Sequence, residues 1–299
     1  MRINLLLISL LIVVSCKKDK SNSLEDLEIS INNQISNIEG DIALAFTDLS
    51  CRTPPLLINV DGIFHAASTM KVPVMIELYK QQLAGELSLQ DSIMISNKFI
   101  SIVDSSSYQL NINDDSDDII YKYIGSKLTI HELITSMITV SSNLATNILI
   151  ELVSVKKINQ TMRSFGAINM NVLRGVEDQK AFDLGLSNTT TAKDLSIIMK
   201  GLALKSFLGT EECDAMISVL KHQKWNDMIP KYLPKDIDIA HKTGAISHVH
   251  HDAAIVYLPN GNAYILVLLS KNLKNFETGT EKLAQISKTI YNFMVSQDQ

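Results

Sequence analysis

The apolar residues of this 299-residue chain keep two rhythms, and their order along the chain constrains the fold more than any motif does. Near the start, Asp41 to Leu49 alternates and reads as a strand. Arg52-Thr53-Pro54-Pro55 breaks the run, and Leu56 to Val60 returns as its hairpin partner. Far downstream the same period reappears in Ile237–Thr243, Ala253–Leu258 and Ala263–Leu269, the last two joined by the turn Pro259-Asn260-Gly261-Asn262. Between these ends the spacing is helical: Ser68 to about Ala84, Leu128–Val153 with a bend near Ser141, Lys156–Phe165, and from a Thr189-Thr190-Thr191 cap to about Leu204, with further pieces to Leu220. A helical stripe over Leu24–Ile38 and another over Phe276–Val295 flank the strands. Strands from the two ends must pair with each other to satisfy their backbones. The expected class is therefore α+β: an antiparallel sheet flanked by the terminal helices, with an all-α region inserted. The expected division is residues 24–67 and 224–299 for the sheet unit and 68–223 for the helical unit. With 46% hydrophobic residues there is ample material for the cores this needs.

The first residues have a different task. Arg2 precedes the apolar run Ile3–Val14, which is too short to cross a bilayer and suits the core of a signal peptide. The run ends in Val13-Val14-Ser15-Cys16, which resembles a bacterial lipobox. On that reading residues 1–16 are a lipoprotein signal segment, Cys16 is lipidated, and the polar stretch 17–23 is a tether. The chain is then exported, anchored to a membrane through Cys16 and facing the periplasm. Two other cysteines, Cys51 and Cys213, lie in unlike contexts; a disulfide or two free thiols are both open. The net charge of −5 and the lack of a basic stripe argue against nucleic acid. The acidic run Asn113-Asp114-Asp115-Ser116-Asp117-Asp118 lacks the glycine and terminal glutamate of a calcium loop and reads as solvated.

Chemistry enters at Ser68-Thr69-Met70-Lys71. Here a hydroxyl stands at the start of a helix, where free N–H groups favour developing negative charge, and an amine follows three residues on. Ser-x-x-Lys also occurs at Ser15, Ser154 and Ser218, but only Ser68 follows a strand and a turn. Two further pieces come in order: Ser141-Ser142-Asn143 after an apolar helix, and Lys242-Thr243-Gly244 at the end of a late strand, where a glycine permits close approach to the backbone. Taken alone, each has a plain structural reading as a cap or a turn. The ordered set resembles the penicillin-recognising serine hydrolases, and within them the class A β-lactamases; Asn147 also matches an asparagine that follows their second motif.

The resemblance implies the following roles. Ser68 attacks a β-lactam carbonyl; Lys71, with a pKa lowered by the neighbouring Lys242, takes the proton; Ser141 passes a proton to the leaving nitrogen. Asn143 binds the substrate amide and holds Lys71. Lys242 and Thr243 meet the substrate carboxylate, Gly244 lets the substrate approach the strand backbone, and the N–H groups of Ser68 and Ala245 form an oxyanion hole. Glu177 is the expected deacylation base. Its loop reads Arg174-Gly175-Val176-Glu177-Asp178, one residue longer between arginine and glutamate than the family pattern, with Asp178 and Asp183 as the next candidates. Counting from Lys242, His251 falls where many class A enzymes place a carboxylate-binding arginine. His248-Val249-His250-His251-Asp252 also matches a metallo-β-lactamase motif, but no histidine follows it, so neither a metal nor another cofactor is expected. A monomeric serine β-lactamase is the leading expectation. A D-alanyl-D-alanine peptidase, a related esterase or amidase, and a non-catalytic cell-wall binder are the alternatives.

Overall fold

The computed structural model describes residues 23–297, so Cys16 and the segments before and around it lie outside the described residues. The first helix, α1 (Leu24–Ser36), starts at a Ser23 capping box closed by Asp26 and buries Leu27 and Ile31. It is followed by β1 (Asp41–Asp48) and the short β2 (Leu56–Ile58). The last three strands of the main sheet are β3 (Ile239–Ile246), β4 (Val249–Tyr257) and β5 (Ala263–Lys271), and α9 (Phe276–Ser296) closes the chain. The order across the five-stranded sheet is β2-β1-β5-β4-β3. The two ends of the sequence meet in the antiparallel pair Asp41↔Lys271 to Asp48↔Tyr264. This is the joining of early and late strands that the period-two segments demand.

The sheet is buried on both faces. Leu44, Phe46, Ala254, Val256, Leu266 and Leu268 face α1 and α9 and pack with Ile31, Leu283, Ile286 and Ile290. The alternate residues Ala43, Ala45, Ala253, Ile255, Ile265 and Val267 face the helical layer. That layer holds α2 (Lys71–Leu83), α3 (Ile130–Thr139), α4 (Asn143–Val153), α5 (Val155–Ser164), the short α6 (Gln179–Asp183), α7 (Ala192–Ala203) and α8 (Thr210–Lys221). One continuous buried cluster runs from Leu133, Leu149 and Met216 through Leu195 and Met199 of α7 to that sheet face. The predicted helix over Leu128–Val153 is two helices, parted at Val140–Ser142, where Ser141 takes a positive φ of 67° and Ser142 caps α4 through Ala145 N.

The stretch Leu87–Ser126, without a period in the sequence, folds as small ladders: Ser92–Met94 pairs with Lys127–Thr129, and Phe99–Ile100 with Ser107–Tyr108. Asn113, Asp114, Ser116 and Asp118 of the acidic run are exposed as expected, but Asp115 and Asp117 are half-buried and anchored. The Asp115 carboxylate accepts the N–H groups of Asn143 (2.9 Å) and Leu144 (2.8 Å) and the Tyr121 hydroxyl (3.1 Å), and Asp117 accepts the Ser136 hydroxyl. A carboxylate at the N-terminus of α4 is where unpaired N–H groups and the helix dipole favour it. Cys51 is exposed, Cys213 is buried, and both are free thiols. Among the described residues no helix is long and apolar enough to cross a membrane.

Candidate active site

A two-residue strand, Phe64–His65, pairs with Thr189–Thr190 and delivers the chain into a 3-10 turn, Ala67–Met70, that runs directly into α2. Ala67 takes a φ of 44°, a left-handed conformation costly for an alanine and held only by its surroundings. Ser68 follows it at the mouth of a cleft between the turn, β3 and the loop 174–188. The cleft wall includes Ser68, Asn143, Val176, Glu177, Phe182 and Ala245. An adjoining hollow shares Ser68 and Ala245 and adds Ser141, Thr243, Gly244 and His250. All three sequence motifs therefore line one continuous groove with Ser68 at its middle.

Gly244 explains how β3 comes so near. A Cβ there would lie 2.8 Å from Ser68 N and 3.0 Å from Thr69 N, both backbone atoms that cannot swing aside. Only a glycine lets the strand lie against the turn, and this sets Ala245 beside Ser68.

Beneath the groove lie the two lysines, both fully buried. Lys71 Nζ donates to Ser141 O (2.7 Å), Asn143 Oδ1 (2.9 Å) and Ser141 Oγ (3.2 Å). Lys242 Nζ donates to the same Ser141 Oγ (3.0 Å) and to Thr243 O (2.9 Å). Burial brings Lys71 down to about 7, against the smaller opposing pull of Asp115 and Glu177. Burial, more than the neighbouring charge expected from the sequence, is thus what makes Lys71 a base near neutrality. Lys242 is lowered as well, first by burial and then by Lys71. Ser141 Oγ receives both amines, which leaves its own proton free to be donated into the groove.

Glu177 stands on the opposite wall with a φ of 60°. Its Oε1 accepts Asn143 Nδ2 at 2.7 Å, so Lys71, Asn143 and Glu177 form one hydrogen-bonded chain. Burial, with Asp115 and Asp114 behind it, raises the Glu177 carboxyl while the Asn143 bond and Lys71 pull it down. The loop that carries it is clamped by Asn147, whose Oδ1 accepts Val176 N (2.7 Å) and whose Nδ2 donates to Val176 O (3.0 Å). The two reserve candidates have other work. Asp178 accepts Ser101 Oγ (2.9 Å) and Ile102 N (3.0 Å) and caps α6, and Asp183 accepts Gln179 Nε2 on the exposed side (2.6 Å). Arg174 donates to the carbonyls of Leu186 (2.8 Å) and Gly175 (2.9 Å), bracing the loop through backbone groups.

His251 is not in the groove. It is fully buried on the helical face of β4, donating Nε2 to His65 O at 2.8 Å and accepting Ser270 N on Nδ1 at 3.2 Å, and burial lowers it to about 4. Strand alternation puts its neighbour His250 on the other face. There it pairs with Ala245 in the ladder, bonds Thr280 Oγ1 (2.7 Å), stacks on Phe276 and lines the hollow beside Thr243. The sequence carries no signal for His65 or Phe182, and Asp115, read there as solvated, instead holds the start of α4. No cluster of three or more metal-binding side chains occurs among the described residues.

The model of the β-lactamase enzyme family matches residues 26–294. The chain belongs to that family. The β-lactamase BRO-1 of Moraxella catarrhalis is 28% identical over 220 residues, covering 67% of this chain and 70% of that enzyme. A β-lactamase of Bacillus licheniformis is 25% identical over 174 residues, and that match spans only 57% of the enzyme's length and 56% of this chain. Among solved structures, PBP-A is 27% identical with a TM-score of 0.77, covering 91% of this chain and 97% of that one. A PBP-A mutant, solved as an acyl-enzyme complex with penicillin G, matches at 27% and a TM-score of 0.76 with the same coverage. The fold of the family is the fold found here: the antiparallel sheet with its helical insertion.

Proposed function

We propose that this protein is a serine β-lactamase working through an acyl-enzyme on Ser68. The observation that supports this reading is the cleft that Ser68, Asn143 and Glu177 line together, with the buried Lys71 joined to Glu177 through Asn143. Neutral Lys71 takes the Ser68 proton as Oγ bonds to the lactam carbonyl carbon, and the N–H groups of Ser68 and Ala245 hold the oxyanion. The C–N bond breaks, and the nitrogen takes its proton from Ser141, which is replenished from Lys71. Water then attacks the ester carbon, its proton passes to Glu177, and as the C–O bond breaks that proton is delivered to the departing Ser68 oxygen, which restores the hydroxyl and the carboxylate. Thr243 and a Lys242 protonated by the arrival of an anion hold the substrate carboxylate. This reading needs no cofactor.

A D-alanyl-D-alanine peptidase is the second reading, favoured by the likeness to PBP-A and by the extra residue before Glu177. A chromogenic cephalosporin separates the two. A β-lactamase turns it over with little adduct, whereas a peptidase accumulates a stable adduct on Ser68. Ser68→Ala should abolish both, and an adduct surviving in that variant refutes the assignment. We also propose export as a lipoprotein through Cys16, with the enzyme on the periplasmic side of its membrane. Cys16→Ser should release it to the soluble fraction, since stable anchoring requires the acyl chains; unchanged fractionation refutes the anchor.

A further inference from the structure

The backbone leading into Ser68 is held at every residue. Ala66 N donates to Asn188 O (2.8 Å), and Ala66 O accepts both Thr69 N (3.1 Å) and Thr69 Oγ1 (2.6 Å). At the strained residue itself, Ala67 N donates at 2.9 Å to a side chain, the Nδ1 of His65 two residues back. An accepting Nδ1 carries no proton, so this bond exists only in the neutral Nε2–H form of His65. His65 is in turn fixed from below, because His251 Nε2 donates to its carbonyl and the Ser270 N–H occupies His251 Nδ1, which settles the tautomer of the lower ring.

We propose that His65 is a positioning residue for Ser68, pinning the Ala67 N–H through Nδ1 so that the strained turn aims the Ser68 N–H of the oxyanion hole, with His251 as the buried strut beneath it. This rests on the reading of Ser68 as an acylated nucleophile. A left-handed alanine persists only when neighbours over-determine it. Of the bonds around Ala67, the one to its own N–H comes from a side chain and so depends on residue type. The surroundings favour the neutral ring. Burial and the nearby Arg174 guanidinium both lower the His65 pKa, the Phe182 ring meets it edge-on with centroids 6.2 Å apart, and His251 below is itself held neutral. Although His65 also lines the cleft, a mere wall residue would act on ligand binding, whereas a positioning residue acts on the bond-forming step.

The test follows Ser68 acylation by a fluorescent penicillin over a range of concentrations, which separates pre-covalent affinity from the acylation rate constant; adduct mass and melting midpoints are recorded alongside. His65→Leu should lower the acylation rate constant by about tenfold or more, since a displaced oxyanion donor costs up to ~10²–10³-fold, with affinity within about twofold of wild type. His65→Asn, whose Oδ1 can take the place of Nδ1, should restore most of the rate. A His65→Leu enzyme that acylates at the wild-type rate, a loss confined to affinity, or an Asn variant as slow as the Leu variant would overturn the proposal. If His65→Leu fails to fold, the Asn variant decides against His65→Ser, whose hydroxyl is too short to reach Ala67 N: equal rates in the two overturn it. A wild type that never acquires the adduct overturns the acylating-serine reading itself.

Discussion

Replacing Glu177 by glutamine leaves the shape of the site almost untouched and removes one capacity. The Asn143 Nδ2 bond at 2.7 Å can still be accepted by an amide oxygen, so the chain to Lys71 stays in place. What is lost is an acceptor for the proton of the deacylating water, worth ~10²–10⁴-fold in rate, or about 3–5 kcal/mol of barrier at ~1.4 kcal/mol per decade. The structure also predicts what happens to the first half of the reaction. Glu177 is one of the charges that raise the Lys71 pKa, so its neutralisation lets Lys71 fall below about 7. The neutral fraction of Lys71 near pH 7 is then larger in the variant than in the wild type, so acylation should hold steady or rise. The acid limb of the acylation profile should move to lower pH. Pre-steady-state acylation and deacylation of a penicillin, with adduct mass as the readout, measure both effects. Acylation that falls in step with deacylation would mean that Glu177, and not Lys71, activates Ser68. Turnover at the wild-type rate would mean that the base lies elsewhere, and neither Asp178 nor Asp183 is placed to supply it.

Two further perturbations test the architecture. Gly244→Ala would set a Cβ 2.8 Å from Ser68 N and must push β3 or the turn aside; a displacement approaching 1 Å at the reacting centre is worth on the order of 10²-fold in acylation, and a variant within threefold of wild type would show that the strand has slack. His251 is buried neutral with its pKa lowered to about 4, so the stability it contributes is complete above its ordinary value of 6.5 and is lost as pH falls from there towards 4. Urea melts should show up to ~1.4 kcal/mol of lost stability per pH unit across that window, with a smaller slope in His251→Gln; equal slopes would contradict this burial effect.

How much of this was legible in the sequence depended on whether a residue's neighbours were fixed by periodicity. The strands near the two ends were readable because β1, β4 and β5 are short runs apolar at successive positions, which leaves two apolar faces, both of which must be covered. The sequence helices survived with small shifts, since caps such as Thr191 and stops such as Gly85 and Gly166, the latter two at φ of 72° and 89°, are local chemistry. Leu87–Ser126 was opaque for the opposite reason. Its ladders are two or three residues long, shorter than any period can register, and are held by partners such as Asp178 far along the chain. Asp115 was mistaken for a solvated residue because its partners, the first N–H groups of α4, become neighbours only when the chain folds.

The histidine pair shows the limit most clearly. Residues facing the groove from β3 are counted from Lys242, and the count holds as far as Ala245 because the strand is continuous. Beyond it the chain turns through Ser247 and His248, the latter at a φ of 61°, and returns as β4. Whether His250 or His251 then comes to lie beside Thr243 depends on the length of that turn, since one residue more or less exchanges the two faces of the returning strand. No composition or motif fixes that length; the paired backbone does, with Ile246 opposite Val249 and Ala245 opposite His250. The exchange carries a chemical consequence. A histidine in the groove could meet a substrate anion, but one beneath Phe64–His65 can only hold backbone, and its two hydrogen bonds there commit it to the neutral form.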